Sequence, residues 1–316
     1  MYAIDWAVKK ELRILDIKKN KLKTIPPTIN EFKKFLTKIK KPTNFYFEEG
    51  GGDSFKLLAR RNNHKVFTIP GKRTKEYREE RGLEKSDEAD AVIIGLLAKS
   101  QPNNFYQFQE LDEVTARISI LYEQRGDVET MMVRAKNQLF ALKNRLELIS
   151  LDGYKDKIIN GKELIIKSIQ KDFERQTKIL EKEVKKHPVW AYFEGIKGVG
   201  PAVAGGLISN IKRASRFPNK YSLRHYAGMI ARSEGQTFNH KLKRVLFFFT
   251  EGIIKSRTPQ WRDLYDNMKI YYKNKHPDWR KGRINNYAIK FVETKFLDSV
   301  YEKMKTIEEN GVLEHF

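Results

Sequence analysis

Cysteine is absent from this 316-residue chain, which excludes disulfides and thiolate-bound metals, so any metal held here takes oxygen or imidazole ligands. Histidine is scarce as well. Its 6 copies are scattered without ligand spacing, leaving carboxylates as the ligand set and pointing to Mg²⁺ or Mn²⁺ rather than zinc. There is no run of about 18 apolar residues and no signal-peptide or lipidation pattern. The expectation is a soluble, cytoplasmic protein with no membrane partner. Internal repeats and low-complexity stretches are also missing. Acids are few relative to bases: 40 Asp and Glu face 62 Lys and Arg, for a net charge of +22. That balance is the electrostatic footprint of a polyphosphate partner, nucleic acid first among them. Hydrophobic residues make up 40%, enough for ordinary globular packing, and the length allows two or three domains.

The first 25 residues read as three short strands, Tyr2 to Trp6, Leu12 to Ile17 and Lys21 to Ile25, with a hairpin turn at Asn20. Asn30 is positioned to cap a helix over Glu31 to Ile39. Phe45-Tyr-Phe47 reads as a buried strand running into Glu48-Glu-Gly-Gly-Gly-Asp53. A helix (Ser54 to Arg61), a strand (Lys65 to Ile69), a charged connection and the helix of "EKSDEADAVIIGLLAK" (84–99) follow. This order describes a mixed sheet covered by helices. From about residue 110, apolar residues recur at 3,4 spacing from Leu111 to Ile149, with Arg125 the one interruption. A second charged helical stretch runs from about Lys157 to Lys186, giving either an antiparallel helical hairpin or a dimeric coiled coil. The last third is mainly helical and basic: Lys212 to Lys295 holds 20 Lys and Arg against 6 Asp and Glu.

Asp87 and Asp90 stand three residues apart, on one helix face. Acids at a helix N-terminus also answer to the helix dipole alone. Two further acids change the weighing. Asp5 lies in an apolar strand, where a charge is costly without a partner. Glu48 ends a strand just before three glycines that would let a bulky ligand approach the backbone, and strand ends facing a cleft are where ligands gather. The four could converge on one or two divalent cations, roughly 3.5–4 Å apart, that stabilise both oxygens of an in-line phosphodiester displacement.

With "FEEGGGD" and "KSDEADA" in this order, the chain resembles the Piv-type invertases and related insertion-sequence transposases, whose motifs read roughly Glu-x-Thr-Gly and Lys-Thr-Asp-x-x-Asp-Ala. Gly50 stands where the family usually has Thr. The resemblance implies an α/β RNase H-like (RuvC-like) mixed sheet over residues 1–104, an all-α coiled-coil spacer over 105–188 and a mainly α C-terminal transposase domain over 189–316. It implies Asp5, Glu48, Asp87 and Asp90 as metal ligands, with Glu49 an alternative to Glu48.

"GIKGVGPAVAGGLISNI" (195–211) resembles a helix-hairpin-helix turn, in which the free amides opening a helix grip a phosphate. With "SRFPNKYSLRHYAGM" (215–229) it resembles the C-terminal domain of the same family. There a loop serine attacks a DNA phosphate; here that residue would be Ser233, followed by Glu234 and Gly235 where the family more often shows Ser-Gly-Gly. A loop serine bonded to backbone is the plainer alternative. Lys197, Gly198, Gly200, Lys212, Arg213, Arg216, Arg232, Lys241, Lys243 and Arg244 are the expected nucleic-acid contacts. Helical spacing favours core packing for Trp261, Tyr265, Tyr271, Tyr272 and Trp279 over stacking on bases.

Three readings remain. One is a DNA transposase or recombinase acting through a serine-linked intermediate. The resemblance adds donor and target DNA, a non-coding bridge RNA, a homodimer or homotetramer, and a prokaryotic, nucleoid-associated location. The others are a RuvC-type junction nuclease that hydrolyses with water and a basic architectural protein without catalysis.

Overall fold

Strands with alternating apolar residues build the first part of the chain. β1 (Tyr2–Asp5), β2 (Leu12–Asp16) and β3 (Lys21–Ile25) form the expected antiparallel meander, with Ala3 opposite Leu15 and Asp5 opposite Arg13. The chain passes through α1 (Ile29–Leu36) into β4 (Asn44–Glu48), and through α2 (Asp53–Arg61) into β5 (Lys65–Ile69). β4 runs parallel to β1, and β5 parallel to β4. Next come α3 (Gly71–Glu80), α4 (Asp87–Ser100) and a short edge strand, β6 (Tyr106–Gln107), antiparallel to β5. The sheet order is β3-β2-β1-β4-β5-β6. The computed structural model describes residues 1–6, 11–84, 86–148, 154–230 and 237–313, and the chain divides into two units, Met1–Glu113 and Val114–Phe316.

Period-two alternation sends successive side chains to opposite faces of this sheet. Ile4, Phe45, Phe47 and Val66 meet Phe32, Phe35 and Phe55 of α1 and α2. Ala3, Leu15, Tyr46 and Ile69 meet Tyr77 of α3 and Ile93, Ile94 and Leu97 of α4. The result is a mixed six-stranded sheet between two helical layers, compatible with an RNase H-like domain. Two local expectations are corrected. The first helix is capped by Thr28, not Asn30: Thr28 has the extended backbone a cap requires, and its Oγ1 accepts from the Glu31 amide at 3.3 Å. The charged connection after β5 is the helix α3, whose buried Thr74 and Tyr77 make a stripe too thin to stand out among its charges.

The second unit is helical. α5 (Glu110–Leu148) begins in the first unit and continues into the second, followed by α6 (Lys155–Val184), α7 (Trp190–Glu194), α8 (Pro201–Ile211), α9 (Lys220–Tyr226), α10 (His240–Ser256), α11 (Pro259–Lys275) and α12 (Lys281–Leu313). Arg117 bonds Glu183, Arg125 donates to Thr177 at 3.2 Å and Lys143 to Glu163 at 2.9 Å, so α5 and α6 run antiparallel. Arg125, the break in the apolar register, lays its guanidinium 4.4 Å from the Phe173 ring centroid. The base of this pair merges with the helices C-terminal to it. Ile118, Leu180 and Val184 share one core with Phe193, Leu207, Leu246, Phe249 and Phe296.

Candidate active site

Asp5 and Glu48 end adjacent parallel strands. The register pairs Ile4 with Phe47, so the two acids follow side by side at the same sheet edge. By alternation, Asp5 shares a face with Ala3, and Glu48 with Tyr46, the face that α3 and α4 cover. α4 lies directly on it: a Cβ added at Gly95 would sit 2.7 Å from Leu15 and 3.6 Å from Ala3. Ser86 starts this helix, its hydroxyl accepting from the Ala89 amide at 3.1 Å. That places Asp87 at the first helical position and Asp90 one turn on. Asp90 is 8% exposed, with an Arg78 guanidinium nitrogen of α3 2.9 Å from its Oδ1. Oδ1 nevertheless has no aligned hydrogen bond among the described residues. The side chain of Asp87 lies outside the described residues.

The two glutamates take different environments. Glu48 Oε1 lies against Gly71, the first residue of α3, so closely that a Cβ there would overlap it. Glu49 turns to the edge strand, accepting from Tyr106 Oη at 2.9 Å. The glycines after them meet a side chain of the chain itself: a Cβ on Gly51 would overlap the Trp6 indole, and one on Gly52 would sit 2.9 Å from it. Asp53 pairs at 3.2 Å with Lys56, which is 2% exposed.

All four acids offer carboxylate oxygen, the chemistry a hard divalent cation prefers, and the buried Asp90 Oδ1 without an aligned donor suits such a ligand. Among the described residues no three acids form a ready-made cation cage. Arg78 and Gly71 were not foreseen from the sequence. The signal for both was Pro70 leading into a run of strong helix formers.

In the second unit the turn before α8 is held by packing. Gly198 has φ +98°, and a Cβ there would lie 2.8 Å from the backbone of Gly252 in α10. The Lys197 carbonyl accepts from Ser256 at 3.2 Å and from Thr258. Gly200 caps α8 without a side-chain bond, and Ala202 and Val203 of the first turn open into a cleft of about 970 Å³. Lys241 and Arg244 of α10 line it, facing Arg125 and Arg134 of α5. Lys241 reaches Glu123 at 3.4 Å across it, and Lys243 is exposed nearby on the same helix as Arg244. The turn itself thus packs on the C-terminal end of α10, while Ala202 and Val203 of α8 share the cleft with the basic start of α10. Arg213 and Arg216 have inward roles: Arg213 is 8% exposed, and Arg216 donates to the Ile211 carbonyl at 3.0 Å, closing the end of α8. Lys212 follows at φ +62°. Arg232 and Ser233 lie outside the described residues. Beyond their span, Asn239 is tied to α9, its amide donating to the Tyr226 carbonyl at 2.8 Å and its side chain to Tyr226 Oη at 2.7 Å.

A mixed sheet layered with helices, with acids at the ends of neighbouring parallel strands, is compatible with an RNase H-like class of domain. The particular family follows from comparison: residues 3–145 match the transposase model of the IS110 DEDD family, and the chain carries a transposase domain of that family. A transposase model implies a DNA substrate. No curated protein matches the chain. No helix among the described residues is long and apolar enough to cross a membrane.

Proposed function

We propose that this transposase cuts and exchanges DNA strands with carboxylate-held Mg²⁺ or Mn²⁺ and a serine nucleophile. The observation that carries the metal site is the placement of Asp5 and Glu48 at adjoining parallel strand ends, on the sheet face covered by the helix bearing Asp87 and Asp90. The engagement of Glu49 by Tyr106 supports Glu48 as the ligand. When bound, the metal supplies Lewis-acid charge to the phosphate oxygens.

Ser233 Oγ attacks the scissile phosphorus. The Oγ–P bond forms, the P–O bond to deoxyribose breaks, and the leaving oxygen takes up a proton to become a free hydroxyl. A hydroxyl of the exchanging strand then attacks the phosphoserine, joins the strands and returns a proton to Ser233. One phosphodiester is exchanged for another throughout. The cleft between α5, α8 and α10 supports a backbone-holding role for Lys241 and Arg244. Lys197, Gly198, Gly200 and Lys243 are further proposed contacts to the nucleic acid, as is Arg232 outside the described residues, and the α5–α6 pair is the coiled-coil spacer. A bridge RNA pairing with donor and target DNA would supply sequence choice, in a homodimer or homotetramer.

The test is to sequence nucleic acid that co-purifies with the protein, then run a Mg²⁺-dependent reaction on a matching DNA site with wild type, Asp87→Ala and Ser233→Ala. A discrete RNA and loss of exchange in both variants support the proposal. If no specific RNA appears and Ser233→Ala still cuts, the serine step is withdrawn in favour of a metal-only junction nuclease.

A further inference from the structure

The antiparallel pair α11–α12 carries aromatic side chains of two kinds. Deep in the pair, Trp261 and Tyr265 are 7% and 5% exposed, Trp261 packing edge-on against Phe249 and Phe296. Where α11 ends and α12 begins, rings gather again, but in the open. Tyr271 keeps 48% of its surface and Tyr287 41%, with Tyr272 and Trp279 half-buried between them. Trp279 lies 4.6 Å from Tyr287 and Tyr272 5.5 Å from Tyr287, while His276 stacks on Trp279 at 3.9 Å and 6°. None of these rings belongs to the core of the unit.

Charge surrounds them. Residues 269–283 hold six Lys and Arg and one acid, Asp278, and none of the six is bridged to a carboxylate among the described residues. Three already sit on rings: Arg283 is 4.1 Å from the Trp279 centroid, Lys275 Nζ 5.4 Å from that of Tyr271 and Lys269 Nζ 5.2 Å from that of the buried Tyr265. Open aromatic faces beside unneutralised cations match a polyanion that carries planar groups of its own. A duplex offers the charge but hides its base faces. An acidic peptide offers the charge but no planar group paired with each charge.

We infer that the α11–α12 tip binds single-stranded nucleic acid, with bases stacked on Tyr271 and Tyr287 and phosphates held by Lys275, Arg280 and Arg283. This goes beyond the strand-exchange reading: it assigns a strand-holding site in which the carboxylates take no part.

Labelled oligothymidylate and oligouridylate of about 12 nucleotides, within the range one such site spans, are titrated with the full chain by fluorescence anisotropy, beside a duplex of equal length. Tyr271→Ser with Tyr287→Ser, both at exposed positions, should weaken single-strand binding by roughly 5- to 150-fold per stacked base and leave duplex binding nearly unchanged. The two oligonucleotides decide between DNA and RNA. Independently of any variant, 5-iodouracil oligonucleotides should photo-crosslink wild type within residues 271–287. Equal loss for single strand and duplex, crosslinks elsewhere, or variants that alter only the sedimentation of the protein would overturn the inference, the last making the tip a protein contact. Mg²⁺-dependent DNA cutting is read in parallel. Unchanged strand binding with cutting still abolished by Asp5→Asn sinks the tip alone, whereas normal cutting by the acid variants sinks the metal chemistry alone.

Discussion

Replacing Gly71 by Ala should separate the candidate metal site from the stability of the domain. The new methyl group would come within 2.4 Å of Glu48 Oε1. Either the carboxylate leaves its rotamer, at about 0.5–1.5 kcal/mol, or the start of α3 shifts. Alanine offsets this by favouring the helix by up to about 1 kcal/mol, and by less at a first helical position. The net change in stability is therefore small, and the melting temperature should stay within about 3 °C. The carboxylate must still move by the better part of an atom. Displacing a metal's supporting geometry costs about 10–100-fold in affinity, and a misplacement of about 1 Å costs roughly 100-fold in rate. Mn²⁺ titration followed by electron paramagnetic resonance reads the first without any DNA, and plasmid cutting reads the second. Shortening the acid in the same background, Gly71→Ala with Glu48→Asp, should recover part of the Mn²⁺ affinity. Unchanged Mn²⁺ affinity and cutting in Gly71→Ala would refute the placement of Glu48 in the site. A loss that tracks a fall of about 10 °C or more in melting temperature would show that the residue acts through folding.

Gly198→Ala should destabilise the second unit by about 2–3 kcal/mol, because the new Cβ meets the Gly252 backbone at 2.8 Å from a left-handed φ of +98°; a thermal melt that does not move would count against this packing role. Glu293 gives a pH signature. Burial pushes its carboxyl up to about 7 from the usual 4.5, against the opposing pull of Lys243 and Lys290. The folded chain thus keeps a proton that the unfolded chain has lost. Stability is full below about pH 4.5, declines as pH rises through the window up to about 7, and then levels at a total loss of about 3 kcal/mol. Glu293→Gln should flatten that slope in urea melts at pH 5 and 8, and equal slopes in variant and wild type would refute the assignment.

The strands were readable because period-two burial leaves a direct trace in the sequence: β3 and β5 fall on the residues expected, and β1, β2 and β4 within a residue or so. The long helices were readable for the same reason at period 3.6. α3 was not, since only Thr74 and Tyr77 of its ten residues are buried. With it went Gly71 and Arg78, the two residues that crowd Glu48 and neutralise Asp90. The glycines after Glu49 announced a close approach but not what approaches, which is Trp6. Arg216, expected as a phosphate contact, also donates to the Ile211 carbonyl at the end of α8, which no local spacing announced. Trp261 and Tyr271 share a helix and a residue class, yet one is core and the other is open to solvent.

By itself, then, the sequence determined the net charge, the exclusion of thiolate ligands, the order of the first five strands and of the long helices, and that acids fall at strand ends. These are properties of composition and of neighbours a few residues apart. Tertiary structure alone decided which acid meets which cation, which glutamate faces α3 and which the edge strand, and which aromatic rings stay open. Those outcomes depend on side chains brought together from distant parts of the chain by packing, and no local spacing records them.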